Sequence, residues 1–433
     1  MKNIFEFHEG FPGEPREHQV TGFRLQNGLE VIFLKNSQVP IVAVDIWYKV
    51  GSKDEKPGKS GFAHLFEHMM FQGSENVGKA MHMKLINDIG GMVNGSTSQD
   101  RTNYWEVVPS NQLELALWLE ADRMRSLKVT QENFENQRDT VKEERRLRID
   151  NQPYMRAVFE LKDEVAHQNF AYKHSVIGSM EDLDNATLED VRQFHELYYR
   201  PNNAVLTLAG DFKAGNAYDL ITRYFESIPA GDPVPQVDLS EPPHQTETRY
   251  SYEDPFAPFP ALLVSYLIPE RTHPDFPVLE ILEKILFDGE SCRFYQKLIE
   301  DQQLVLHMFG GSDGKFGPGL FFIFAQLHPL KEWTDLEKVV QQEFERVITG
   351  GVSEQELRKA RNKVKADFIS NQETVRSLAD LMCLYTTLYQ NPRRFFEEIP
   401  LYEQITLADI YRVAEKYFNS NNRSVIEVFP RKK

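Results

Sequence analysis

The sequence is poor in cysteine, in positive charge and in long apolar runs, and each shortage closes a class of function. Cys292 and Cys383 are the only cysteines among 433 residues. Two thiols so far apart build neither a zinc or redox motif nor a disulfide framework, and they read as buried thiols in a reducing compartment. Lys and Arg number 49 against 65 Asp and Glu, a net charge of −16. That sign opposes general nucleic-acid binding, in which cationic side chains displace counterions from phosphates. It is compatible with an attraction for basic peptides. The longest apolar runs, at 261–268 and 320–325, fall well short of the ~18 residues a membrane-spanning helix needs. Residues 1–9 carry no apolar stretch of a secretory signal, so the expected location is the cytoplasm. What remains is ample for folding: 41 % apolar and 12 % aromatic residues. A chain this long exceeds one hydrophobic core and implies about two to four domains.

An internal repeat sets the number at two. Thr187-Leu188-Glu189-Asp190 opens a segment that runs through Tyr198-Tyr199 to Asn202-Asn203 and an apolar strand. Thr406-Leu407-Ala408-Asp409 opens a second, which runs through Tyr417-Phe418 to Asn421-Asn422 and another strand, every step displaced by 219 residues. Thr-Leu-x-Asp is a helix N-cap with an acid in the first turn, and Asn-Asn ends the helix before the strand. Thr130 and Ser353 each cap a charged helix, and these helices carry Val141-Lys142 and Val364-Lys365. Phe71-Gln72-Gly73 pairs with Phe287-Asp288-Gly289. Four such pairs in one order indicate duplication. Five prolines within 229–243 mark a linker. The expected division is therefore 1–228, a linker at 229–245, and 246–433. In each half strands precede helices and more strands follow, which implies an α+β fold with helices packed on a largely antiparallel sheet.

Chemistry concentrates in the first half. His64-Leu65-Phe66-Glu67-His68 contains His-x-x-Glu-His, the inverted zincin order. On a helix His64 and His68 stand one turn apart on one face and reach the same ion. Glu67 lies beside them as a carboxylate that takes a proton from water, whose pKa zinc lowers toward ~7. A catalytic zinc needs a third protein ligand. In the helix expected over 131–149, about 100° per residue puts Glu144 about 60° from the core-facing Val141 and Glu143 about 160° from it. Glu144 is thus the inward acid; His82 and His8 are the alternatives, each without a helical partner. In the second half the positions of His64, Glu67 and His68 fall on Glu280, Glu283 and Lys284. One chain is therefore expected to bind one zinc.

His64-x-x-Glu67-His68 with Glu144 76 residues beyond it resembles the zinc-binding pattern of the M16 peptidases, among them pitrilysin, insulin-degrading enzyme and the mitochondrial processing peptidase. The resemblance extends through Gly51-Ser52, Phe71-Gln72-Gly73-Ser74, Asn94-Gly95-Ser96-Thr97-Ser98, Glu144-Arg145-Arg146 and Ile177-Gly178-Ser179. It implies zinc on His64, His68 and Glu144, with Glu67 as general base of a metalloendopeptidase. It also implies that Asn94-Gly95-Ser96 belongs to an edge strand on which an extended peptide adds as a further strand. The alternation over 96–108 fits a strand. The length resembles the short members, in which two chains face each other around a chamber.

The chain departs from that pattern twice. Gln137 stands where many members carry a second glutamate. Cys292-Arg293-Phe294-Tyr295 matches a segment followed, in members that act alone, by an Arg and a Tyr seven apart; here those positions are Ile299 and Leu306. Two apolar side chains stabilise no oxyanion. The resemblance therefore implies a homologous partner subunit, in a heterodimer or a dimer of heterodimers, that supplies the pair. The competing readings are a non-catalytic structural subunit of the same fold and a peptide-binding module with structural zinc.

Overall fold

The computed structural model describes residues 3–10 and 18–431. The chain forms two compact units, each built on one sheet. The first comprises 1–142, 176–237 and 369–398, the second 143–175, 238–368 and 399–433. The change from first to second unit at 237–238 lies inside the proline-rich stretch, which has no regular structure. Two other segments depart from a purely sequential division at 1–228 and 246–433.

The reason is packing. Helix Val375–Tyr389 buries Leu378, Ala379, Met382 and Cys383. The Cys383 thiol donates to Thr207 Oγ1 at 3.1 Å, and Trp47 Nε1 donates to Asp380 at 3.0 Å, so this helix covers the first sheet. Conversely Tyr154, Ala157, Val158 and Leu161 cluster with Ala261, Leu263, Phe324 and Ile426 of the second sheet. Both cysteines are buried free thiols.

The first sheet contains β1 (Asn3–Glu9), β2 (His18–Arg24), β3 (Glu30–Lys35), β4 (Ile41–Tyr48), β5 (Met92–Thr97), β6 (Thr102–Pro109) and β7 (Ala204–Gly210). Their order is β1-β2-β3-β7-β4-β6-β5. The second contains β8 (Thr248–Asp254), β9 (Ala261–Ile268), β10 (Val305–Ser312), β11 (Gly319–Leu327) and β12 (Arg423–Pro430), in the order β10-β11-β9-β12-β8. The second order reproduces that of β5-β6-β4-β7-β3. Among the described residues only β3 with β7 and β8 with β12 run parallel. β7 is buried at all seven positions and β4 at seven of its eight, because helices cover both faces; such strands read as continuous apolar runs.

The duplicated segments fold alike. Helices Leu188–Tyr198 and Leu407–Tyr417 both open on capping boxes, Thr187 with Asp190 and Thr406 with Asp409. Each is followed by a short 3₁₀ turn and then by β7 or β12. Two local expectations need correction. The alternation over 96–108 is not one strand: a turn at 98–101, closed by Ser98 N–H to Arg101 O at 2.9 Å, separates β5 from β6. The helix expected to Ile149 ends as an α-helix at Arg145 and loosens into a π-turn over Arg146–Asp150. Among the described residues no helix is long and apolar enough to cross a membrane.

Candidate metal centre

The helix Phe62–Met69 is amphipathic in an unusual direction. Phe62, Ala63, Leu65, Phe66 and Met69 are buried, and the three residues left half-buried are His64, Glu67 and His68. Phe62 and Phe66 pack on Phe194, at 5.2 and 5.0 Å between ring centroids, and Phe66 on Tyr199 at 4.3 Å. The apolar side thus fixes the roll of the helix and turns the polar triplet the other way.

Its N-terminus is fixed as firmly. Glu55, buried, accepts the Gly61 N–H at 2.9 Å and the Ala63 N–H at 2.7 Å on its two carboxylate oxygens. An acid there satisfies orphan donors and complements the helix dipole. Gly61 has φ +83°, and a Cβ on it would lie 2.4 Å from Ile177 O. Only glycine allows that backbone approach.

His64 and His68 face each other with ring centroids 4.9 Å apart and planes at 78°. The third group comes from the continuous helix Gln131–Arg145, most of which lies in the first unit. One donor atom each from His64, His68 and Glu144 lie within 4.8 Å of one another. Two imidazoles and one carboxylate are a donor set that suits zinc with one coordination position left open. The Glu144 side chain is 17 % exposed and ion-paired to Arg148 at 2.8 Å. Glu143 is exposed and pairs with Arg146 at 3.0 Å. Gln137, two turns earlier on the face of Glu144, is half-buried and neutral.

β5 is the edge of the first sheet. Thr97 Oγ1 donates to Glu67 Oε2 at 2.5 Å. A Cβ on Gly95 would come within 3.2 Å of Glu67 Oε1, so the strand passes directly over this carboxylate. The hairpin pairing makes Asn94 and Ser96 face β6, which leaves the backbone groups of Gly95 and Thr97 on the open edge. The Gly95 N–H is held by Asn94 Oδ1 at 2.9 Å. Arg101 donates to Ser96 O at 2.8 Å and bonds its hydroxyl at 2.7 Å, which stiffens the turn. Thr97 and Glu55 were not singled out from the sequence. Two-residue periodicity puts Thr97 on the side of Gly95; nothing local marks Glu55.

The other two histidines lie elsewhere. His8 is exposed on β1. His82 Nε2 lies 2.7 Å from Glu106 Oε1 in a second cluster of His82, Glu106 and Glu120, all buried. The Arg123 guanidinium already serves that cluster as its cation, at 3.5 Å from Glu106 and donating through Nε to Glu120 at 2.9 Å. Burial and Arg123 lower the His82 pKa to about 3, which keeps the imidazole neutral. Burial raises Glu120 to about 8 despite Arg123.

In the second unit, helix Phe276–Leu286 carries Glu280, Glu283 and Lys284. Glu283 accepts the Ser312 N–H at 2.9 Å and its hydroxyl at 2.6 Å, as Glu67 accepts Thr97. Lys284 Nζ lies 2.8 Å from Asp367, the counterpart of Glu144. Ile299 packs on the second core, and Leu306 is 47 % exposed on β10.

Comparison with known proteins agrees along the whole chain. The profile described as insulinase (peptidase family M16) matches residues 30–179, and the peptidase M16 inactive domain matches 185–364. The zinc protease PqqE of Helicobacter pylori is 30 % identical over 420 residues, 96 % of this chain and 93 % of that protein. The probable mitochondrial-processing peptidase subunit beta of Arabidopsis thaliana is 22 % identical, over 94 % of this chain and 77 % of that protein. The crystal structure of a protease from Helicobacter pylori matches with a TM-score of 0.91 at 28 % identity, covering 98 % of this chain and 100 % of that one.

Proposed function

The chain belongs to the M16 peptidase family, and from that premise we propose that it is a zinc-dependent endopeptidase subunit acting on peptides or unfolded segments. The observation that carries the reading is the convergence of His64, His68 and Glu144 within 4.8 Å, in a chain where Glu67 is bonded to the edge strand at 2.5 Å. His64, His68 and Glu144 would hold one zinc. When bound, zinc supplies Lewis acidity that polarises a peptide carbonyl and makes water acidic enough to be deprotonated near neutral pH.

Glu67 takes the proton from the attacking water and returns it to the departing amine. Thr97 fixes the Glu67 carboxylate by its hydroxyl, so the base is oriented before substrate arrives. The open backbone groups of Gly95 and Thr97 pair with an extended peptide, which places a scissile bond beside Glu67 without regard to side-chain identity. Asn94 Oδ1 must yield the Gly95 N–H for that pairing to form. Ile299 and Leu306 offer no donor for a developing oxyanion, and a homologous partner chain supplies the Arg and Tyr.

Metal content and hydrolysis of an unfolded peptide test the reading, with the chain alone and with a co-purifying partner. The expected result is one zinc per chain, hydrolysis only with the partner, and loss of hydrolysis but not of zinc in Glu67→Gln. Full activity from the isolated chain removes the partner requirement. A Glu67→Gln variant that behaves as wild type in every assay makes the chain a structural subunit.

A further inference from the structure

The second unit contains a cavity that the proposed chemistry does not use. It lies between helix Glu354–Ser370 and the short helix Glu398–Gln404, measures about 200 Å³, and is lined by Arg358, Arg361, Asn362, Lys365, Ile399, Tyr402 and Glu403. The four residues from the first helix are spaced three, one and three apart, which puts them on one face. Ile399 and Tyr402 are buried and form an apolar floor.

The duplicated half gives this face a reference. At the displacement that relates Lys142 to Lys365, the counterparts of Arg358, Arg361, Asn362 and Lys365 are Glu135, Arg138, Asp139 and Lys142. The first face carries two acids and two bases and is neutral. The second has exchanged both acids, one for Arg and one for Asn, and is left with three cations. Arg361 and Lys365 are like charges four apart on a helix, an arrangement that destabilises it when nothing lies between them. The protein's own compensation is weak. Lys365 Nζ stays 3.9 Å from Glu403, whose side chain is 59 % exposed. Arg358 has no ion pair among the described residues. Arg361 donates to Ile405 O through one terminal nitrogen, while its buried Nε has no hydrogen-bond partner. Arg138, the counterpart of Arg361, likewise keeps a buried Nε without a hydrogen-bond partner, so what sets the second face apart is the exchange of its two acids and the cavity beside it.

We propose that this cavity binds a small oxyanion, a carboxylate or phosphate group, between Arg358, Arg361 and Lys365. Planar oxygens match the guanidinium fork, and the ammonium adds a point charge. Asn362 adds an amide donor at the rim. The volume suits one such group with a few waters and excludes a drug-sized ligand. The site is independent of the hydrolytic reading, since it shares no residue with the candidate metal centre.

Thermal unfolding of the full chain at matched ionic strength tests it, with inorganic phosphate, N-acetylalanine, its amide, or chloride as the added solute. Phosphate or N-acetylalanine is expected to raise Tm by about 2 °C or more over chloride, by mass action on the folded state. The Arg358→Gln/Lys365→Gln variant should lose that rise; its Tm in chloride should be no lower than that of wild type, because removing Lys365 relieves the repulsion from Arg361. Should the double variant not fold, the single Arg358→Gln chain at an exposed position must still halve the rise. A response to N-acetylalanine but not to its amide assigns the site to peptide carboxylates, and a response to phosphate alone assigns it to phosphoryl groups. No rise over chloride, or an equal rise in the variants, overturns the proposal.

Discussion

Helix Phe62–Met69 presents His64, Glu67 and His68; helix Phe276–Leu286 presents Glu280, Glu283 and Lys284 at the same three positions. The glutamate of both helices is bonded to its own edge strand, Glu67 to Thr97 on β5 and Glu283 to Ser312 on β10. The acid on the long helix also persists, as Glu144 and as Asp367. Only the imidazoles are gone. In their place Lys284 puts an ammonium 2.8 Å from Asp367, 3.5 Å from Asp288 and 3.9 Å from Glu283. Burial alone would lower the Lys284 pKa, but the hydrogen bond to Asp367 and the surrounding carboxylates hold it above the ordinary lysine value. The second unit therefore keeps a cation among its acids, supplied by its own chain. The glutamate between the two outer positions ties helix to strand in both units, and under the proposed function the imidazole pair is what the first unit adds.

The largest effect should follow from breaking the pair. His68→Ala leaves two ligands for zinc, so metal content should fall to a tenth or less of wild type, by elemental analysis, and hydrolysis should disappear with it. Lys284→Ala should leave zinc content and hydrolysis unchanged and lower only the melting temperature. Next in size is the glutamate. Glu67→Gln should cost about 10²–10⁴-fold in kcat with zinc retained, the range for loss of a general base. Glu283→Gln keeps a hydrogen-bonding amide near Ser312 and should leave kcat within twofold. Equal losses from the two would show that the glutamate acts through the fold rather than on substrate. A third test runs the other way: Glu280→His with Lys284→His places two imidazoles one turn apart, the second at the position that now contacts Asp367. Titration should then find two zinc ions per chain, with peptide hydrolysis unchanged. One zinc per chain would mean that the second unit has lost more of the frame than the imidazoles.

Much of this was legible in the sequence because it rests on short-range signals. His-x-x-Glu-His needs only one helical turn to bring two imidazoles onto one face, and the Thr-x-x-Asp boxes at Thr187 and Thr406 fold as local chemistry dictates. Glu144 followed from helical periodicity, since Val141 marks the buried side of the same helix. What was not legible depends on distant pairing. The exchange of 143–175 and 369–398 follows from which sheet offers Cys383 or Tyr154 a complementary surface, and no periodicity encodes that. Strands β5 and β6 read as one because Gln99 and Asp100 interrupt the alternation only briefly. Glu55 caps helix Phe62–Met69 from six residues upstream through a loop whose path only the folded backbone reveals.

The smallest expected effect concerns how the two helices are anchored. Glu55 holds the first through backbone N–H groups. Asp275, at the N-cap of the second, instead accepts from Arg412 at 2.7 Å, Lys416 at 2.9 Å and Tyr417 at 3.0 Å. Burial would raise the Asp275 pKa, but those donors outweigh it and bring it down to about 2 from an ordinary 3.8. A carboxylate with a depressed folded pKa stabilises above its unfolded pKa, and the contribution fades as pH falls through the folded value. Unfolding of metal-free wild type and Asp275→Asn, compared by denaturant titration, should therefore differ by a constant amount above about pH 5. The gap should shrink between about pH 4 and pH 2, where Asp275 itself becomes neutral. A gap that stays constant to pH 2 would place the anchor in packing against Tyr417 rather than in charge, and the two units would then hold their helices by different physics.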